Sequence, residues 1–391
     1  MGNVVFNSCG TSIFEEMSRL AMQADAVNLG QGFPEGLEPP EVVEAAMRAL
    51  RDGPHQYPPM LGLPALRQAV AESARRFLGL DVDWEREVLV TSGATEALAD
   101  AFFGLLNAGD EVILIEPAYD SYPVIVRRAG AVPVPVRLRP PRWDLPRDAL
   151  EAAITPRTRA IVINTPMNPI GKIFGDDDLR FIAGLMLKHD LVAIADEVYE
   201  HLVFDGRRHK TLFAAPEVRD RVVRIGSAGK TFSVTGWKVG YVMADAKLIA
   251  PIARAHQFVT FTTPPALQSA VAFGLRLPDS YYDGLRAALE TRRDFLVAGL
   301  RNVGFDVGDV GATYFAVAGA SRFDPANDDA EFCRRLTREA GVTAVPISAF
   351  YGARDVRSHI RFCFAKKRET LEAALARLER WSERPEPRAA S

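Results

Sequence analysis

The residues able to do chemistry cluster where apolar runs stop. Residues 222–241, VVRIGSAGKTFSVTGWKVGY, begin as a β-branched apolar run and break into small residues at Gly226, Ser227, Ala228 and Gly229. Lys230 follows directly, and Lys238 lies eight residues on. A lysine at the edge of an apolar strand loses hydration, which disfavours its charged form. The neutral amine is a nucleophile toward carbonyls. An isolated loop lysine carries no such meaning, so the weight falls on what surrounds it.

Asp196 closes the apolar run LVAIA. A carboxylate there needs a partner, because an unpaired buried charge is costly; taken alone it is equally a helix cap or half of an ion pair. Arg361 lies in HIRFCFAKK, where alternation puts it on the same face as Cys363. It reads as a structural ion pair or as a fork gripping a carboxylate through two parallel hydrogen bonds. Gly93, Ala94 and Thr95 open a helix whose free N–H groups and dipole suit a phosphate, although a capped helix start would look the same. GSAGKT at 226–231 is not a P-loop: only two residues separate its glycine from Gly-Lys, and Arg224 stands where the first glycine belongs. The G-x-G-x-x-x-G at 30–36 is one residue too long for a dinucleotide fingerprint.

The elements that must position these residues alternate. Helical periodicity at 40–51, 64–78 and 95–106 is interleaved with strands at 87–90, 111–115, 132–135, 160–163, 192–195, 222–225 and 240–244. Runs such as VILI and AIVI suit strands buried on both faces. The expected class is therefore α/β, a mostly parallel central sheet flanked by helices. Ligands in such sheets sit beyond the carboxyl ends of the strands. Those ends carry Thr91–Glu96, Glu116–Tyr119, Asn164–Pro169, Asp196–Tyr199 and Gly226–Lys230, all polar or small. The pattern changes near Tyr281. A large domain is expected over 40–280, with a smaller α+β domain from 1–39 and 281–391. The tail 383–391 is polar and proline-rich and is expected to be disordered.

The bulk numbers narrow the class. The chain has 391 residues, 48% hydrophobic and 25% charged, so a soluble globular enzyme is expected. A net charge of −3, from 47 basic and 50 acidic residues, gives no electrostatic reason for nucleic acid or an anionic membrane. No apolar run approaches a membrane span. Three scattered cysteines and no secretory signal fit the cytoplasm. The histidines show no metal-binding spacing, so no metal site is expected.

Together, LGQGFP, NTPMNPIGKIF, DEVYEHLVF, SAGKTFSVTGWKVGY and VPISAFY resemble, in this order, the class I/II aminotransferases, the pyridoxal 5'-phosphate (PLP) enzymes of the aspartate aminotransferase fold (fold type I). Within that family the kynurenine, glutamine and methionine aminotransferase branch is most similar. The resemblance implies that Lys230 forms the Schiff base with the cofactor aldehyde and then carries the proton. Asp196 would keep the pyridine nitrogen protonated, so that the ring can act as electron sink. Tyr199 and Asn168 would donate to the phenolic oxygen, and Tyr119 would stack on the ring. Gly93, Ala94, Thr95, Ser227 and Lys238 would cradle the phosphate, Lys238 standing where many relatives carry arginine. Tyr57 would reach the phosphate of a neighbouring subunit, which implies a homodimer with shared sites. Arg361, with Asn168 and a Gly32 backbone N–H nearby, would hold the substrate α-carboxylate.

Two positions depart from the family. Ile13 and Phe14 are the bulky candidates where relatives place a tryptophan, and Thr262 stands in place of a pocket histidine. The implied activity is ping-pong transfer of an amino group from a neutral or aromatic L-amino acid, such as glutamine, methionine, phenylalanine or kynurenine, to a 2-oxo acid. A carbon–sulfur β-lyase on the same scaffold is the alternative. A ligand-sensing regulator fused to this fold is a remoter one.

Overall fold

The computed structural model describes residues 2–383, so the expectation for the tail lies, beyond Glu383, outside the described residues. Thirteen strands are numbered in chain order: β1 Val27–Asn28, β2 Val88–Thr91, β3 Glu111–Glu116, β4 Val132–Arg137, β5 Thr158–Asn164, β6 Val192–Asp196, β7 Val222–Ser227, β8 Gly240–Met243, β9 Asp306–Val307, β10 Phe315–Gly319, β11 Val342–Thr343, β12 Val345–Pro346 and β13 His359–Cys363. The central sheet has seven strands in the order β2-β8-β7-β6-β5-β3-β4. Six run parallel to one another, and β8 alone is reversed between β2 and β7.

Burial explains the sequence pattern. Every residue of β2, β3, β7 and β8 is buried, as continuous apolar runs demand of strands covered on both faces. β4 has the sequence VPVPVR and is mostly part-exposed. Its two prolines cannot donate to a central ladder, and the strand sits at the sheet edge where none is required. Helices Pro40–Asp52, Pro64–Leu78 and Pro265–Leu275 pack one face, through Val42, Leu66, Val70 and Val271. Helices Ala94–Leu105 and Ala246–Val259 cover the other, through Ala97, Ala101, Leu248 and Ile252. The boundaries read from periodicity agree with these to within one or two residues.

A second core forms around the antiparallel sheet β12-β13-β10-β9. Helices Asp279–Val303, Asp329–Glu339 and Arg368–Ser382 line it. The chain's start belongs with this end. β1 pairs in parallel with β11, and Glu16 of helix Ile13–Gln23 accepts from Arg334 at 2.7 Å. Ser12, Phe14, Gln31 and Gly32 are thereby brought to the carboxyl ends of the central strands, in one lining with Asn164, Asp196 and Ser227.

Candidate active site

A cleft of about 620 Å³ opens at those strand ends. Every site residue expected from the sequence lines it except Tyr57. Tyr57 is 81% exposed and packs edge-on against Phe261, away from this chain's own cleft. Of the two bulky candidates Phe14 lines the cleft and Ile13 does not, and Thr262 lies outside it.

Asp196 is the last residue of β6, with 6% of its surface exposed. Tyr122 donates its hydroxyl proton to Oδ2, and the Val198 amide donates to Oδ1 at 3.4 Å. Burial pushes its pKa up, opposed by the Tyr122 hydrogen bond and by Lys230. Among the described residues no basic side chain stands at ion-pair distance from it. Tyr122 was not anticipated. Its signal was the helical spacing from Tyr119, which turns two rings toward one cleft.

Lys230 belongs to the short helix Ala228–Thr231 that follows β7. Burial brings its ammonium pKa down from 10.5 to about 8, against the pull of Asp196. Its Nζ donates to the Tyr314 hydroxyl at 3.0 Å. A lysine so placed is partly neutral near physiological pH, as a nucleophile or proton carrier must be.

Arg361 is 1% exposed on β13, and burial lowers its pKa. It donates to Asn168 Oδ1 and to the Gly30 carbonyl, both at 2.8 Å, and its buried Nε has no partner. Since a guanidinium can only donate, the Asn168 amide oxygen faces it and the NH2 group is left for another acceptor. Phe14, Phe315 and Phe350 box the guanidinium at 5.2, 3.9 and 5.3 Å. Among the described residues no carboxylate pairs with it. This aromatic box was legible only at Phe14.

The phosphate end is built from small residues and helix geometry. Gly93 precedes helix Ala94–Leu105 with φ +83°, in the left-handed region that favours glycine. A Cβ there would lie 3.3 Å from Lys238 Nζ. Gly240 is equally forced: a Cβ would come within 2.6 Å of the Gly93 backbone. The first N–H groups of the helix have no intrahelical acceptor and face the cleft beside Ser227 and Lys238. Behind the loop, Glu96 accepts from the Ser92 amide and meets His256 Nδ1 at 2.9 Å, while His256 Nε2 donates to the Met60 carbonyl at 3.2 Å. Asp100 completes a buried group of carboxylate and imidazole ligand atoms that lie within 4.8 Å of one another. Histidine spacing gave no hint of it, because the three residues meet only through packing of two helices. Both histidine nitrogens face acceptors, Glu96 and the Met60 carbonyl, whereas both buried Asp100 oxygens, the nearer 3.5 Å from Nδ1, have no hydrogen-bond partner.

This donor set fits PLP. A buried carboxylate without a cation suits a protonated ring nitrogen, and a partly neutral lysine suits the aldehyde. Tyr199 and the Asn168 NH2 suit the phenolic oxygen, and the helix start with Ser227 and Lys238 suits the phosphate. Tyr119, its hydroxyl pKa pushed up to about 12 by burial, offers a neutral ring face.

Comparison with known proteins agrees. The family model described as Aminotransferase class I and II matches residues 24–378. A Mycobacterium tuberculosis protein named probable N-succinyldiaminopimelate aminotransferase is 45% identical over 390 residues, covering 96% of this chain and 97% of that one. Escherichia coli methionine aminotransferase is 39% identical over 369 residues, covering 94% and 95%. The solved structure of the N-succinyldiaminopimelate aminotransferase from Mycobacterium tuberculosis superposes with a TM-score of 0.94 at 44% identity, over 97% of this chain and 100% of that one. The chain belongs to the class I and II aminotransferases and is a PLP-dependent aminotransferase with their fold.

Proposed function

We propose that this aminotransferase takes a neutral or aromatic L-amino acid as donor and passes its amino group to a 2-oxo acid. The observation that carries the site assignment is a pair of unpartnered charges. Asp196 and Arg361 are buried on the walls of one cleft, each without a counter-ion at ion-pair distance, and Lys230 shares that lining. Buried charges are retained where something external completes them.

Bound PLP supplies an aldehyde for the donor's amine and a cationic ring that accepts the electron pair released at the substrate α-carbon. The protein does the rest. The Arg361 fork binds the α-carboxylate and fixes which face of the α-carbon meets Lys230. Lys230 Nζ would be the group that takes the α-proton and gives it back. Asp196, its ionised form favoured by the Tyr122 hydrogen bond against burial, would hold the ring nitrogen. Phe14, Tyr119 and Phe315 exclude water from the α-carbon.

The charges lining the cleft support the donor class. Its cations are Lys230, Lys238 and Arg361, each with a role above. Beside Ser12 and Phe14 the lining instead carries Glu15 and Asp120. An anionic side chain would meet carboxylates there, whereas thioether, amide and aryl groups would meet rings. The test is a single-turnover screen following bleaching of the cofactor with methionine, phenylalanine, glutamine, kynurenine, glutamate and N-succinyldiaminopimelate. Fastest turnover of either of the last two overturns the donor class. Release of pyruvate and ammonia from a cysteine conjugate without added oxo acid would favour the lyase reading. Borohydride reduction and peptide mapping test Lys230 itself.

The same reading makes the enzyme a homodimer of two-domain protomers, hinged near the start of helix Asp279–Val303. Tyr57 and Phe258, 81% and 84% exposed, with Phe261 at 40%, support an apolar seam between protomers. Sedimentation of the holoenzyme as a monomer would refute it.

A further inference from the structure

Tyr314 belongs to none of the motifs that mark the site, yet its hydroxyl touches the reactive amine. The residue is 0% exposed and leads into β10. Its ring is clamped edge-on between Tyr199 and Phe315, with centroids at 5.3 and 4.7 Å. The hydroxyl lies 2.7 Å from the Gly32 carbonyl and 3.0 Å from Lys230 Nζ.

The proton inventory fixes the direction of both bonds. A backbone carbonyl only accepts, so the single phenolic proton is committed to Gly32 and the oxygen's lone pairs face Lys230. Tyr314 is therefore an acceptor for the amine. It is not a base, because burial raises its pKa well above 10. The bond is strongest when the amine is an ammonium, since a charged donor roughly doubles a hydrogen bond. Gly32 is two residues from Gly30, whose carbonyl accepts from Arg361. One backbone segment thus receives both the carboxylate-gripping arginine and the tyrosine that holds the lysine.

We propose that Tyr314 is a positioning residue that docks the Lys230 amine, neutral or protonated, whenever that amine is not bonded to the cofactor, tying it to the strap formed by Gly30 and Gly32. The inference rests on Lys230 being the Schiff-base lysine. Docking keeps the amine within reach of the α-carbon after the substrate has displaced it, and sets how firmly it retains its proton.

The experiment uses Tyr314→Phe, which keeps the ring and removes the oxygen. In the apoprotein, the titration of Lys230 is read by carbon-13 NMR after reductive methylation. Its midpoint is expected to fall by about 1, the size of a lost hydrogen bond to a charged group. In the loaded enzyme the single-turnover half-reaction slows roughly tenfold, with amino-acid KM unchanged within about twofold. 3-Fluorotyrosine placed at position 314, a weaker acceptor of the same shape, should move the apoprotein titration the same way by less, and keeps the proposal testable if Tyr314→Phe does not fold. An unchanged titration in a variant that still forms the borohydride adduct at Lys230 overturns the docking role. Absence of that adduct in the unaltered enzyme overturns the lysine assignment instead.

Discussion

Arg224 and Glu197 form an ion pair at 2.6 Å with 1% and 0% of their side chains exposed. The same guanidinium holds Glu200. Glu197 and Glu200 follow Asp196 and Tyr199 by one residue each, so this buried network under the sheet end fixes the turn that carries the Asp196 and Tyr199 side chains lining the cleft. Removing one partner of such a pair strands the other charge. Arg224→Leu leaves two buried carboxylates and is expected to cost about 3–5 kcal/mol of stability. Chemical denaturation reads it, and a loss within 1 kcal/mol would make the network dispensable.

The network also has a pH signature. Glu200 is pulled down from 4.5 to about 2 in the folded protein; burial opposes the shift, and Arg224 is the largest favourable influence. A carboxylate with a depressed folded pKa contributes stability above its unfolded value and loses it as pH falls through the folded one. The stability gap between the unaltered protein and Glu200→Gln should therefore close between pH 4.5 and 2, by at most about 3 kcal/mol. His201 loses stability over a higher range, between 6.5 and its folded value of about 4. Glu200 itself pulls the His201 pKa up against burial, so the two proteins are compared in a His201→Gln background, which removes that part. A gap that stays constant to pH 2 would refute the assignment.

Lys230 titrates near 8, so its neutral fraction is proton-limited below that value. The rate at which the apoprotein captures PLP should rise about tenfold for each pH step of one up to 8, then level off. Stopped-flow absorbance follows it. A rise that continues toward 10.5, the ordinary lysine value, would mean that burial does not depress the amine.

What could be read in advance follows from how local each signal is. β3 and β5 announce themselves because burial on both faces leaves an uninterrupted apolar run, and Asp196 stands out because it ends one. Arg361 is visible because a charge interrupts a strand. Tyr122 and Tyr314 are not, because a tyrosine is at home in any core and only the fold brings their hydroxyls to Asp196 and Lys230. The group Glu96, Asp100 and His256 was hidden for the same reason: two helices 150 residues apart in sequence must pack before it exists.

Tyr122 tests how the acid is tuned. Its hydroxyl favours the ionised form of Asp196 and so limits the carboxylate's proton affinity. Without it the proton would shift from the ring nitrogen toward Asp196, and the electron sink would weaken. Asp196→Asn should lower kcat on the order of a thousandfold, ~4 kcal/mol of barrier. Tyr122→Phe should lower it about tenfold, for the loss of one hydrogen bond. Steady-state kinetics at saturating PLP decide, and equal losses would place Tyr122 in direct contact with the reaction.

Arg361 separates stability from function most sharply. In the ligand-free protein it is a buried cation without a carboxylate, its Nε unpaired and its charge met by two neutral oxygens, of Asn168 and Gly30, and three phenyl rings. Replacing such a group by an apolar side chain of similar length removes a desolvation cost. Arg361→Met is therefore expected to raise the melting temperature of the ligand-free enzyme while abolishing the carboxylate fork. Amino-acid KM should increase by roughly two orders of magnitude, about 2–3 kcal/mol, with PLP absorbance retained. Arg361→Lys keeps the charge but not the paired donors and should fall between the two. Calorimetry of the apoprotein and initial rates across donor concentration measure the two effects separately. A lowered melting temperature with unchanged KM would mean that Arg361 holds the fold and does not wait for a substrate.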